Sequence, residues 1–397
     1  MPYLLNPAGR MVALDEQQYN KYLGMPGFIK PTTEQVIEYE TARTKRILQM
    51  KQKDPEKNSI YFVTVSRGGT NGYSVCADQI IKELRNLDVP LYTEPKDHKI
   101  AFLFHVPYSL LQLNAPYKIL YTMFESDRIP DDWIDYLNAA NKVIVPSKFC
   151  QQTFSRSGIK SEVVPLGYDD SIFTYQERRK RKVFTFLHYD AFNIRKGFTE
   201  VFKAFNQEFK PDEPVQMVFK TIKNAAPFPI SKSQYPNIDV IYGKKSTKEL
   251  LDILKSSDAF VFPSRGEGFG MTPLEAMATG LPTIVPNAHG IAEYFNSDLM
   301  YEVKVKETCP ALYNRYKGQN VGNMVICDVD DLARQMRYIY EHQKEAAEKG
   351  KAAAEYVKQW TFKNTASKLK VILDGVLNRP IEQKPVTNVL PLERVRG

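Results

Sequence analysis

An α/β fold built on two doubly wound parallel sheets is what the sequence predicts, and three observations carry that reading. The chain has 397 residues, which suits two cores of common size better than one. Short apolar runs alternate with segments of helical periodicity, the pattern of parallel strands covered by helices on both faces. That series runs twice, from Ser59 to Asp169 and again from Val183, with a basic linker between the two halves.

The elements follow in order. Residues 1–54 read as a polar leader, with a turn at Gly24-Met25-Pro26-Gly27 and a charged helical stretch from Thr33 to Lys53. The first strand is Ile60 to Val65, and Arg67 to Gly72 form a glycine-rich turn. Ala77, Ile80, Ile81, Leu84 and Leu87 then repeat at helical spacing. Ile100–Phe104, Ile119–Met123 and Val143–Val145 read as buried strands, with helices over Pro130–Ala139 and Lys148–Ser157 between or after them. Residues 55–170 are thus expected to form the first domain. After the linker come strands at Val183–Leu187, Gln216–Phe219, Val240–Tyr242, Ala259–Phe262 and Thr283–Val285. Phe198, Val201, Phe202 and Phe205 mark one helix, and the capping box Ser246-Thr247-Lys248-Glu249 opens another that runs to Leu254. A second domain over 183–360 is the expectation, with a tail from Arg379.

Composition narrows the class. With 43% hydrophobic and 25% charged residues the chain reads as a soluble globular protein. No apolar run approaches the roughly 18 residues of a membrane span, since the best, Ile100 to Leu113, is interrupted by His105 and Pro107. The four cysteines, Cys76, Cys150, Cys309 and Cys327, lack pairing or metal spacing and suit a reduced, cytoplasmic setting. The net charge is +8, of which Arg178, Arg179, Lys180, Arg181 and Lys182 supply five in one run. A solvated linker explains that run more simply than a phosphate-binding patch.

Ser264 to Pro282 carries the chemistry. Glu267 and Glu275 stand eight positions apart, and Gly266, Gly268 and Gly270 surround Phe269 between a strand and a helix start. Glycines let backbone N–H groups approach an anion, and a helix N-terminus adds a favourable dipole. The acids suit hydroxyls, so a sugar nucleotide is the natural ligand. Thr272 to Glu275 also reads as a capping box, which would give Glu275 a structural role instead. Arg195-Lys196-Gly197 follows a strand at the sheet's carboxyl edge, where open α/β sheets bind ligands. Gly68, Gly69 and Gly72 form a loop after the first strand, and His105 ends another. Asp328-Val329-Asp330-Asp331 spaces acids like a metal motif but is better explained as the cap of a helix starting at Leu332.

From Glu267 through Pro282 the chain resembles the signature E-G-F-G-x-x-x-x-E-A-M-A-x-G-x-P of retaining glycosyltransferases of family 4, the glycosyl transferases group 1. The resemblance implies the GT-B fold, two Rossmann-like domains facing across a cleft. It implies that Glu267 contacts the donor sugar near the reacting carbon. Gly268, Phe269 and Gly270 would line the sugar and diphosphate, and Glu275 would take the ribose hydroxyls. Lys196, in an x-K-G motif, would be the diphosphate lysine. Where the family carries an arginine this chain has Ala191, so Arg195 stands in as its substitute. Gly69 would approach the donor phosphate, His105 would line the acceptor side beside the reacting carbon, and Glu125, in Tyr121 to Pro130, would face the acceptor. Val163 to Asp169 is similar to the family's hinge, and Tyr356 to Leu377 to its long kinked helix, whose residues 361–378 would return to the first domain. The leader resembles those of some phage-encoded members.

The activity implied is metal-independent transfer of a hexose from a UDP- or GDP-linked donor, without a cofactor. The acceptor stays open among glycan, lipid, protein and modified DNA. An epimerase or phosphorylase of the same architecture, or a non-catalytic protein binding nucleotide sugars or nucleic acid, are the alternatives.

Overall fold

The computed structural model describes residues 3–7, 11–13, 16–36, 38–39, 56–64, 72–94, 98–178, 180–221, 230–316 and 318–378. The chain divides into two compact units, residues 1–57 with 95–98, and residues 58–94 with 99–397. In the first, β1 (Tyr3–Leu5) and β2 (Met11–Ala13) pair antiparallel and helix α1 (Glu16–Tyr22) follows. Gly24 to Gly27 is a turn, and the rings of Tyr22 and Phe28 stack across it at 5.0 Å. Of the helix expected over 33–53, residues 33–36 and 38–39 are helical and the rest lies outside the described residues.

The second unit holds two six-stranded sheets. The first contains β3 (Glu56–Val63), β4 (Leu91–Tyr92), β5 (His98–Phe104), β6 (Tyr117–Tyr121), β7 (Lys142–Val145) and β8 (Glu162–Val163), in the order β4-β3-β5-β6-β7-β8. Ile100 to Phe104 are all buried, as a strand covered on both faces must be. Helix α2 (Gly72–Asn86) buries Ala77, Ile80, Ile81 and Leu84, the face its periodicity marks. Helices α3 (Ile134–Asn138) and α4 (Lys148–Arg156) complete this half.

The second sheet contains β9 (Phe184–Tyr189), β10 (Val215–Lys220), β11 (Ile238–Ile241), β12 (Ala259–Val261), β13 (Thr283–Val285) and β14 (Tyr301–Glu302). Its order is β11-β10-β9-β12-β13-β14, with every pair parallel. Counted from β9 this is 3-2-1-4-5-6, so the winding reverses between β9 and β12. Helices α5 (Phe198–Glu208) and α6 (Thr247–Ser256) connect its strands, and the capping box of Ser246 with Glu249 is present at the start of α6.

Three expectations change. Helix α7 (Met271–Ala278) begins before Thr272, with Gly270 at its N-cap in a left-handed conformation, φ 87°. Thr272 and Glu275 therefore form no capping box. The segment expected as one kinked helix near the end is broken: α9 (Gln343–Tyr356) stops, and α10 (Phe362–Leu377) starts anew from Thr361, whose hydroxyl accepts the N–H of Asn364. Leu369, Leu373 and Leu377 of α10 share the hydrophobic cluster of α2. Lastly, β15 (Val305–Pro310) and β16 (Asn323–Cys327) form an antiparallel hairpin that periodicity did not reveal, because β15 is polar and exposed along most of its length. Helix α8 (Val329–Glu341) follows, capped by the Asp328 side chain, which accepts from the Asp331 N–H at 2.9 Å.

Candidate active site

Two loops leave the carboxyl ends of β9 and β12, the strands that flank the reversal of winding. After Tyr189 the chain turns to a short 3₁₀ segment, Ile194–Lys196, whose start is held by Asn193 accepting from the Lys196 N–H. After Val261 comes the glycine-rich loop. The two meet at Glu267, only 6% exposed. Its Oε1 accepts from Lys196 Nζ at 2.8 Å, Arg195 at 2.9 Å and Ser264 Oγ at 2.7 Å. Burial alone would raise the Glu267 carboxyl, but Arg195 and Lys196 beside it hold it at about 2. Lys196 also pairs with Asp190 at 2.9 Å and lies over the Phe262 ring. The sequence-predicted Glu267, Lys196 and Arg195 are thus one cluster, joined by Ser264, which opens the glycine-rich stretch, and by Asp190, which stands in no recognisable motif and was missed.

The glycines permit close approach between the two halves of this unit. A Cβ on Gly266 would stand 2.2 Å from the Glu125 carbonyl oxygen, and one on Gly268 would stand 2.8 Å from the Met123 Cβ. The Gly268 carbonyl accepts from Ser147 Oγ at 2.7 Å, and the Gly270 carbonyl from the Tyr294 hydroxyl at 2.6 Å. Because a trans peptide points its N–H opposite to its carbonyl, the N–H groups of Phe269 and Met271 face away from those partners. The Phe269 ring is buried against Tyr294 and Trp360.

Glu275 is freed by the earlier helix start. Thr272 Oγ1 turns to Asp190 Oδ2 at 3.4 Å, and the Glu275 carboxyl has no hydrogen-bond partner among the described residues. Burial, with Asp190 adding like charge against the pull of Lys220, pushes it up to about 8. A carboxyl in that state donates as well as accepts hydrogen bonds.

On the first sheet's side, Glu125 reaches the same cluster: its carboxylate lies 3.8 Å from Arg195 and accepts from the Tyr313 hydroxyl at 3.3 Å. His105 follows β5 and lies against the Tyr73 ring at 4.9 Å, bonded to none of the cluster. Its Nδ1 is buried without a partner among the described residues, and burial with Arg315 nearby lowers it to about 4. Gly69 lies outside the described residues. His289 is buried, its Nε2 2.9 Å from the Ser264 carbonyl and its Nδ1 without a partner among the described residues.

The basic run is partly consumed by the fold. Arg178 donates to the carbonyls of Leu254, Ser257 and Thr279, and Arg181 pairs with Asp258 at 3.3 Å. Among the described residues no helix is long and apolar enough to cross a membrane, and no group of three or more His, Cys, Asp or Glu could hold a metal.

Residues 172–300 match the model of the glycosyl transferases group 1. A putative glycosyltransferase, ORF313 of Acidianus filamentous virus 1, is 25% identical over 257 residues, 63% of this chain and 77% of that protein. Mannosylfructose-phosphate synthase of Agrobacterium fabrum is 30% identical over 148 residues, which span 32% of each chain. Among solved structures, sucrose-phosphate synthase from Thermosynechococcus elongatus has the same fold with a TM-score of 0.55 at 14% identity, over 77% of this chain and 78% of that one. A glycosyltransferase from Rickettsia africae gives 0.54 at 15%, over 80% and 85%.

Proposed function

We propose that this chain, which belongs to the glycosyl transferases group 1 and has the GT-B fold, moves a hexosyl group from a UDP- or GDP-linked donor to an acceptor hydroxyl with retention at the anomeric carbon. The observation that carries the proposal is the buried Glu267 carboxylate gripped by Lys196 and Arg195 at the reversal of winding. Without ligand the two cations are neutralised by Glu267, Asp190 and Glu125. An arriving diphosphate competes for them, and the negative charge that grows on it as the sugar departs is stabilised by cations already in position. The N-terminus of α7 adds N–H donors and a dipole of the right sign. Glu267 then orients sugar hydroxyls, and Glu275 takes those of the ribose.

In this reading the acceptor oxygen bonds to the anomeric carbon on the face from which the diphosphate leaves. The bond to the diphosphate breaks, and its oxygen takes the acceptor proton. His105 and Glu125 line the acceptor side. Fixed cations do the work otherwise given to a metal; Asp328 caps α8, Asp330 accepts from Gln207, and Asp331 accepts from Arg334 and the Lys304 N–H. The viral relative supports a viral origin. The acceptor class, whether glycan, lipid, protein or modified DNA, is the part that trials with substrates must supply.

The test is titration calorimetry with UDP, GDP and ADP, followed by a hydrolysis screen of the matching sugars with and without acceptors. One diphosphate should bind, and its sugar should turn over faster with an acceptor present. Turnover with phosphate alone would point to a phosphorylase, and no affinity for any diphosphate would overturn the proposal.

A further inference from the structure

Lys220 ends β10, one strand away from the reversal of winding, in register with Tyr189. It is 4% exposed, yet among the described residues its ammonium has neither hydrogen bond nor ion pair. The Tyr189 ring lies 4.7 Å from Nζ. Burial pushes its pKa below 10.5; Asp190 and Glu275 oppose that shift, and Lys245 adds to it. An ammonium that keeps little water and has no partner is unfavourable, and folded chains normally avoid it. Its neighbours do avoid it: Lys196 has Asp190 and Glu267, Arg195 has Glu267, and Lys245 has Glu249 at 3.4 Å. Asp190, the acid that could serve Lys220, is already bonded to Lys196 and to the Ala191 N–H.

The charge at this edge also falls short of its task. Arg195 and Lys196 face Glu267, Asp190 and Glu125, so the pair carries no surplus positive charge for a diphosphate. Lys220 is a third cation with no acid of its own. We propose that Lys220 is a donor-binding residue, its ammonium taking a phosphate oxygen of the nucleoside diphosphate. This assignment rests on the donor reading above and names a residue that reading does not use. The rival explanation is that Lys220 serves only as a distant counter-charge to Asp190 and Glu275.

Calorimetry on the full chain separates the two. Wild type, K220M and K220R are titrated with UDP, GDP and ADP, and with uridine, guanosine and adenosine as controls without phosphate. For the diphosphate that wild type binds, K220M should weaken affinity roughly 10- to 100-fold. It should leave the matching nucleoside unchanged, and K220R should restore the diphosphate to within a few-fold. Melting of the free proteins is the second readout. Removing an unpaired buried charge should leave K220M melting at or above wild type, whereas loss of a needed counter-charge lowers it. Unchanged diphosphate affinity in K220M overturns the Lys220 assignment alone. Absence of binding by wild type overturns the donor reading and the assignment with it.

Discussion

Glu267 and Glu275 sit in one loop and helix, yet their surroundings drive them apart. Two cations keep Glu267 ionised down to about 2, and burial without a partner keeps Glu275 protonated up to about 8. The difference has a pH signature. The folded pKa of Glu275 lies above its ordinary 4.5, so the neutral acid costs nothing below that pH. Stability then falls as pH rises toward 8, where the folded carboxyl ionises. Glu275→Gln should therefore gain over wild type as pH rises from about 5 to 8, reaching on the order of 1–2 kcal/mol after solvent screening. Urea midpoints across that range check it, and a gain independent of pH would contradict the unpartnered state. Glu267→Gln should do the reverse, losing about 1–3 kcal/mol because it strips two buried cations of their shared partner, with Asp190 and Glu125 limiting the damage. The same change leaves Lys196 and Arg195 freer for an anion. Diphosphate affinity should hold or rise while turnover drops roughly 100-fold, a split that calorimetry beside initial rates would show. Loss of both together would make Glu267 a structural residue.

At the scale of elements, the parallel strands and the helices between them were legible in the sequence because each buries a face with its own period. Phe102 and Ile80 declare themselves. What escaped was held by contacts distant in sequence. Thr272 looks like a cap by spacing, yet Gly270 takes that place because the loop before it is pinned by Ser147 and Tyr294, 121 and 24 residues away. Hairpin β15–β16 is polar in β15, and only the fold shows that the segment between its strands packs on the first half. Tyr316 meets Trp133 Nε1 at 3.2 Å, and Ser126 Oγ donates to the Val321 carbonyl. The same segment delivers Tyr313 to Glu125 and Arg315 to the Tyr108 ring. Its weak point is Gly322, at φ 80°, where a Cβ would stand 2.2 Å from Asp127 Oδ1 and 2.6 Å from the Arg128 nitrogen. Gly322→Ala should lift the segment off, speeding hydrogen exchange over residues 305–327 and raising the acceptor KM more than the donor KM. Unchanged exchange there would show that the packing tolerates the methyl.

In the larger unit one core spans both sheets, although each sheet also has a cluster of its own, around Leu103, Leu120 and Val143 for the first and Phe186, Met217 and Ile284 for the second. Ile60, Phe102 and Tyr121 of the first sheet belong to one buried cluster with Leu187, Phe260 and Val285 of the second, and Leu369 and Leu373 of α10 join it. Independent domains joined by a linker would unfold separately, whereas a shared core couples them. The chain's two tryptophans report on this from different places. Trp133 packs on Phe124 and Phe154 beside the first sheet, and Trp360 packs on Phe269 and Tyr294 beside the second. Trp133→Phe leaves only the second probe and Trp360→Phe only the first. In each variant the remaining tryptophan should lose its native emission at the same urea concentration at which far-ultraviolet circular dichroism is lost. Trp133→Phe also removes the indole donor to Tyr108 and Tyr316, so its common midpoint should fall, by about 1–2 kcal/mol in stability. A fluorescence midpoint that departs from the dichroism midpoint in either variant would mean that one half opens alone. The site between the halves would then be assembled by closure around the ligand rather than standing ready for it.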